Sequence, residues 1–283
     1  MTDLAIVIVS YQAREHLERC LASLGAAPPQ RSHEIVVVDN ASSDGSADRV
    51  AAEWPSVTLI RLPDNRGFAA ATNVGIRRTR SEFVLLLNSD AIVPSGALDR
   101  LVAALERHAD AAAIGPRLVD DTGQVELSFG RMFSPLNELR QKLLVRASRS
   151  GIPGARAYVQ RLVSRPRTPD WISGACLLVR RADADRAGLL DERFFLYAED
   201  VDFCARLRAL GRLIRFAPEI DVVHARGQSV AFDPRAAEAH YRRSQLAFYA
   251  KHAPRWLPWL RLYLALRGRL PPSRDSGVGI RDS

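Results

Sequence analysis

The sequence predicts an α/β fold: a Rossmann-like mixed, mostly parallel sheet flanked by helices, with a helical extension at the C-terminus. Three observations predict it. Strand and helix patterns alternate from the first residues, and two long apolar runs stop abruptly at polar or acidic residues. The chain has 283 residues and is 47% hydrophobic, enough to bury a large core without disulfides.

Residues 4–9 form the first strand, which leads through Ser10-Tyr11-Gln12 into a helix with Leu17, Cys20, Leu21 and Leu24 on one face. A second apolar strand lies in residues 34–46 (EIVVVDNASSDGS) and ends at Asp39; a third covers 57–62. Asp64-Asn65-Arg66-Gly67 then opens another helix. Gly67 at its mouth would let backbone N–H groups approach a phosphate or a ribose. Gly75, inside that helix, calls for close packing or a nearby ligand. The run LLLNSD (85–90) is a buried central strand ending in Asn88-Ser89-Asp90. Open α/β sheets bind ligands at the carboxyl ends of their strands, so Asp39 and Asp90 at one edge make a site, whereas either alone would be a loop residue or a cap. A short strand, 220–223, ends at His224, which taken alone reads as a strand-end histidine bonded to backbone.

The densest chemistry lies in residues 194–207, FFLYAEDVDFCARL. Glu199, Asp200 and Asp202 sit between an aromatic run and a helix whose apolar Phe203, Leu207 and Leu210 repeat at helical spacing before Gly211, a suitable stop. At a helix N-terminus the macrodipole and free N–H groups favour an ionised carboxylate, available as a base. The alternative is that Asp200 or Asp202 simply caps the helix.

The ordered set VIVSYQ, EIVVVDNASSDGS, DNRGFAAATNVG, LLLNSD, WISGACLLVRR, DERFFLYAEDVDFCARLRALG and VVHARGQS resembles family 2 glycosyltransferases of the GT-A fold, most nearly the bacterial rhamnosyltransferase branch. The resemblance covers about residues 4–254. It implies an inverting transfer of a sugar from a nucleotide donor to a hydroxyl of a cell-envelope glycan or polyprenyl-linked acceptor. The best-fitting donor is dTDP-rhamnose, with UDP-galactofuranose, UDP-N-acetylglucosamine and GDP-mannose as alternatives. It implies Asp200 as the base and a divalent metal, Mg²⁺ or Mn²⁺, held by Asp90 and His224. Ser10, Asp39, Asp64, Arg66, Gly67, Asn73, Asn88 and Ser89 would line the nucleotide site. Trp171, Gly174, Tyr197 and Glu199 would frame sugar and acceptor.

Three departures from the commonest family pattern stand out. The metal motif Asn88-Ser89-Asp90 carries one carboxylate, Gln12 stands where Asn is usual, and Gly188-Leu189-Leu190-Asp191 replaces Gly-Gly-Phe-Asp. The last two are expected to alter loop packing rather than chemistry. Independent of the family, the residue types suit the reaction: a hard cation on oxygen ligands neutralises a departing diphosphate, and a carboxylate takes the acceptor proton. Asp202 and Glu199 could assist, since adjacent carboxylates raise one another's pKa.

The net charge of +8 is concentrated in a basic insert at about 131–168 and in residues 256–269. The insert reads as an amphipathic basic helix followed by a Pro/Gly linker. Both segments carry Leu or Trp among arginines and suit the anionic face of a membrane; the alternative is an Arg-rich solvated surface and a helix packed on its own domain. No nucleic-acid-binding motif accompanies the charge, and strand-end acids would repel phosphates without metal. A non-catalytic sugar-nucleotide sensor would have no need of Asp200. Three cysteines within apolar patterns point to reduced thiols; the first apolar run, after Asp3 and with no basic region, is expected to be a strand rather than an export signal, and no apolar run reaches membrane length. The expectation is a cytoplasmic protein, peripheral on the inner membrane face. Its organisation would be a catalytic domain over 1–230, a helical extension over 231–270 and a disordered tail over 271–283.

Overall fold

The computed structural model describes residues 2–225 and 234–271. The first half alternates as expected: Leu4–Ser10 (β1), Arg14–Ala26 (α1), His33–Asp39 (β2), Ser46–Glu53 (α2), Thr58–Arg61 (β3), Phe68–Arg78 (α3) and Phe83–Asn88 (β4). Then follow Ala91–Ile92 (β5), Ala97–Glu106 (α4), Ala111–Val119 (β6), Phe129–Gly130 (β7), Pro135–Arg149 (α5) and Pro153–Val163 (α6). The second half contains Trp171–Ile172 (β8), Cys176–Arg180 (β9), Arg181–Arg186 (α7), Glu199–Ala209 (α8) and Leu213–His224 (β10). Pro234–His252 (α9) and Leu257–Leu266 (α10), joined by a 3₁₀ turn at Pro254–Trp256, form the C-terminal extension.

One eight-stranded sheet runs in the order β3-β2-β1-β4-β9-β6-β10-β5. The chain lays β2 and β3 on one side of β1, then returns to place β4 on the other, so a crevice opens between strand ends where the order reverses. Because β9 is antiparallel to both β4 and β6, and β10 is parallel to β6, the carboxyl end of β10 reaches the same edge as those of β1, β2 and β4.

Period-2 alternation explains the central strands. Ile6, Ile8, Leu85 and Leu87 pack in one cluster with Leu17, Leu21 and Leu24 of α1 and Leu98, Leu101 and Leu105 of α4. Val7, Val84 and Leu86 pack in another with Ile76 of α3 and Phe203 and Leu207 of α8. Both faces are covered, so the strands read as unbroken apolar runs. Gly75 resolves in favour of packing: a Cβ there would collide with Val7 and crowd Val38 on the sheet.

Two expectations change. The strand before His224 is 12 residues long, not four, because Arg215, Pro218 and Glu219 interrupt its apolar pattern while its pairing with β6 absorbs a bulge between Ala217 and Asp221. The insert is two helices rather than a helix and a linker: Pro153 occupies the first turn of α6, where a missing N–H costs nothing. The only buried residue of α5 is Glu138, which accepts from Lys142, Tyr241, Gln245 and Tyr249 and so ties the insert to α9. The expected tail after 271 and the Gly227-Gln228-Ser229 part of the last motif lie outside the described residues.

Candidate active site

At the crevice, β1 and β2 end in register, with Ser10 opposite Asp39, and Val9 pairs with Asn88 on the other side. Ser10 and Asp39 are buried, and among the described residues Ser10 Oγ and Asp39 Oδ1 have no hydrogen-bond partner. A buried hydroxyl and carboxylate oxygen left side by side await a ligand's polar groups. The next residue, Asn40, fastens the loop that follows β3: its Nδ2 donates to Asn65 Oδ1 at 2.8 Å, and its Oδ1 accepts from Arg66 N at 2.9 Å. Asp64 and the Arg66 side chain are exposed at the rim.

Gly67 serves a different purpose from the one its sequence context suggests. The space a Cβ would fill is taken by the backbone and ring of Phe195, and Phe68 N donates to Phe195 O at 2.7 Å. With φ of +81° it also needs glycine for its backbone. Asn73 is likewise structural: it is buried, exchanges two hydrogen bonds with the Leu190 backbone and donates to Glu192, so its amide is spent on the 190–192 loop and not on a nucleotide.

Asp90 and His224 meet because β10 pairs antiparallel with β5, opposing His224 to Ala91. His224 Nε2 lies 3.2 Å from Asp90 Oδ1 and 3.2 Å from Asn88 Nδ2; its Nδ1 lies 3.4 Å from Glu126 Oε2. Burial alone would lower the His224 pKa, but its hydrogen bonds to Asp90 and Glu126, with their charges, raise it to about 9. Burial likewise pushes Asp90 up, yet His224 holds it below its ordinary value.

Asp200 opens α8 behind two non-glycine residues in left-handed backbone, Tyr197 (φ 69°) and Ala198 (φ 63°). Its Oδ2 accepts from Gly174 N at 2.9 Å and its Oδ1 from Val201 N at 2.8 Å. The expectation that the helix terminus favours the ionised form is reversed in balance: desolvation raises the Asp200 pKa, and the two N–H groups only partly offset it. Glu199 is buried beside it and pushed well above the carboxylate range by burial and then by Asp200's charge. Asp202 takes no part in this cleft. It is 0% exposed and committed to Arg206, Lys251 and His252, which removes it as an assisting base.

The Gly174-Ala175 turn joins these pieces, since Gly174 N holds Asp200 while Ala175 O accepts from Asn88 N at 3.0 Å. A series of contacts therefore lines the crevice: Asn40 N donates to Ser10 O, Asn40 Nδ2 and Gly67 N both donate to Asn65 Oδ1, Phe68 N donates to Phe195 O, Gly174 N holds Asp200, Asn88 N donates to Ala175 O, and His224 lies between Asn88 and Asp90. Ser89, half-buried, lies between Asn88 and Asp90. Trp171 anchors the wall by donating to Arg131 O at 2.9 Å, and the Tyr197 ring meets Tyr241 edge-on. Sequence reasoning missed Asn40, Asn65 and Glu126. The first two adjoin recognised acids, while Glu126 is brought in by a turn at 120–124 that carries no motif.

A metal is a fair test of this geometry. Two ligands at right angles on an octahedral Mg²⁺ at about 2.1 Å lie about 3 Å apart, close to the Asp90–His224 separation of 3.2 Å. Glu126 behind His224 is the kind of outer carboxylate that orients a ligating imidazole. Among the described residues no group of three or more His, Cys, Asp or Glu is placed to hold a metal ion.

The profile of "Glycosyl transferase family 2" matches residues 5–165. The N-acetylglucosaminyl-diphospho-decaprenol L-rhamnosyltransferase of Mycobacterium tuberculosis is 34% identical over 95% of this chain and 93% of its own length. Rhamnosyltransferase WbbL of Escherichia coli is 24% identical, over 77% of this chain and 82% of its own. Among solved structures, the Pyrobaculum calidifontis mannosyltransferase PcManGT with GDP-Man and Mn²⁺ superposes with a TM-score of 0.58 at 19% identity, covering 94% of this chain and 72% of that one. Staphylococcus aureus TarS 1–349 does so at 0.56 and 15% identity, over 95% and 88%.

Proposed function

The chain belongs to glycosyl transferase family 2, and on that premise we propose that it moves L-rhamnose from dTDP-rhamnose to a hydroxyl of a polyprenyl-diphosphate-linked glycan, with inversion at the anomeric carbon. The observation that carries the proposal is this series of contacts, which brings the unpartnered Ser10 and Asp39 atoms, the Asp90–His224 pair and Asp200, with its raised pKa, to one edge of the sheet. The decaprenol-linked substrate in the mycobacterial relative's name supports the acceptor class, and the rhamnosyltransferase names support the donor.

In this reading Asp39 Oδ1 and Ser10 Oγ take the polar edge of the base or the ribose. Asp90 and His224 would hold a Mg²⁺ or Mn²⁺ ion, which when bound neutralises charge on the leaving diphosphate. The acceptor oxygen attacks the anomeric carbon from the face opposite the diphosphate as the carbon–oxygen bond to phosphate breaks, and Asp200 takes the acceptor's proton. A pKa raised above the ordinary Asp value brings this base nearer to neutral pH, where general-base catalysis is most effective. Glu199, whose pKa burial and the charge of Asp200 raise, stands beside this base at the sugar or acceptor.

A lipid-linked acceptor requires a membrane surface, and two faces suit one. On α5, Leu136, Leu139 and Leu143 are exposed, while Glu138 is buried and Leu144 packs partly against the core. On α10, Leu264 is buried, whereas Trp259 (65%), Leu262, Tyr263 and Leu266 (79%) are exposed among Arg261, Arg267 and Arg269. Outward apolar stripes with arginines suit reversible docking on anionic lipid. No helix among the described residues is long and apolar enough to cross a membrane.

The test is incubation with dTDP-rhamnose, UDP-galactofuranose, UDP-N-acetylglucosamine or GDP-mannose and a short polyprenyl-diphosphate N-acetylglucosamine, reading nucleoside diphosphate release and product configuration by NMR. Acceptor-dependent release from dTDP-rhamnose with an inverted linkage is expected. Preferential turnover of another donor, or retention of configuration, would overturn the proposal.

A further inference from the structure

Helix α9 lies along the whole segment that presents Asp200. His240 stacks on Phe195 with ring centroids 4.4 Å apart, Ser244 Oγ donates to Leu196 O at 2.7 Å, and Phe248 packs with Phe194 and Val201. These positions recur every four residues, a single stripe of the helix. The stripe ends on Asp202: Lys251 Nζ and His252 Nε2 each lie 2.7 Å from its Oδ1, while Arg206 Nε lies 2.7 Å from its Oδ2.

Asp202 is sealed from solvent, so it cannot touch a substrate, yet it shares the first turn of α8 with Asp200. The turn is entered through Tyr197 and Ala198 in left-handed backbone, a conformation that costs on the order of 1 kcal/mol per residue and persists only where surroundings enforce it. The N-cap residue, Ala198, has no polar side chain to cap the helix. Alongside the bonds from Gly174 and Phe68, α9 supplies a row of contacts that fix it.

We propose that Lys251 and His252 are positioning residues for Asp200, acting through Asp202: the last turn of α9 pins the first turn of α8 so that Asp200 meets the Gly174 N–H and faces the crevice. This inference rests on the assignment of Asp200 as the base. It gives the C-terminal extension a role in catalysis, separate from any lipid contact made by α10.

The experiment uses the full chain with His252→Ala, Lys251→Met and His252→Gln, the last retaining an N–H donor for Asp202. Three quantities are read: the melting midpoint, amide exchange in the peptide spanning residues 194–203, and kcat and donor KM with dTDP-rhamnose. In His252→Ala and Lys251→Met, exchange in 194–203 should rise by about tenfold while peptides from β1 and β4 stay protected, and kcat should fall by about tenfold with donor KM within about twofold, the pattern of a displaced catalytic group. His252→Gln should restore both. Variants that exchange in 194–203 as the wild type does, or that lose protection equally everywhere, would overturn the proposal. An Asp200→Asn control separates the two assignments, because full turnover there removes Asp200 as the base while the local exchange result still decides what α9 holds.

Discussion

Replacing Asp200 by Asn removes a proton acceptor without changing the side chain's size, and the structure allows its effects to be separated. General-base catalysis is worth about 10²- to 10⁴-fold, or roughly 3 to 5.5 kcal/mol of barrier, and kcat should fall by that order. Asp200 also accepts two backbone N–H groups, from Gly174 at 2.9 Å and Val201 at 2.8 Å, one on each oxygen. An amide has one oxygen, so one of these donors would face an NH₂ group. Leaving such a bond unmade costs about 1–3 kcal/mol, which should appear as a lower melting midpoint rather than in donor affinity. Donor binding should hold, because Ser10 and Asp39 lie at the ends of β1 and β2 and depend on neither contact. The assay is acceptor-dependent release of dTDP under saturating donor, with donor affinity by calorimetry and stability by melting. A variant with kcat within about threefold of wild type would refute the reasoning and pass the role to Glu199, since Asp202 is walled off.

If Asp90 and His224 share an ion held mainly by diphosphate, Asp90→Ala should weaken donor and Mg²⁺ together, and calorimetry giving equal donor affinity in Mg²⁺ and in excess EDTA would dismiss the pair as a metal site. Glu199, with a folded pKa raised above its unfolded value, contributes stability that is complete below the unfolded pKa and is lost as pH rises through the folded one. Glu199→Gln should therefore melt like wild type in acid and above it at alkaline pH; identical midpoints throughout the range would contradict the raised pKa. The outward faces of α5 and α10 should bind anionic vesicles at low salt and release them as salt rises, each arginine contributing about 1 kcal/mol, with Trp259→Ser and Leu266→Ser weakening the association. Equal sedimentation with neutral vesicles, or none with either, would leave those faces as ordinary surface.

The sequence by itself determined what local pattern can encode. Unbroken apolar runs placed β1, β2 and β4, a 3.6-residue period placed the buried face of α1, the ends of the second and third of those runs named Asp39 and Asp90, and the acidic cluster between an aromatic run and a helix named Asp200. It also marked the departures, and the structure shows their form. Leu189 sits in left-handed backbone at φ 61°, and Gln12 exchanges hydrogen bonds with Ser43, both in loops. What tertiary structure decided is whatever depends on which distant segments meet. Gly67 is glycine because Phe195 arrives from more than a hundred residues away, and Asn73 is taken by Leu190. Glu126 reaches His224 only because β6 turns back on itself. The sign of the Asp200 shift was equally out of reach. The helix terminus that favours ionisation is local and visible in the sequence, whereas the desolvation that outweighs it comes from the packed surroundings of α8, which exist only after folding.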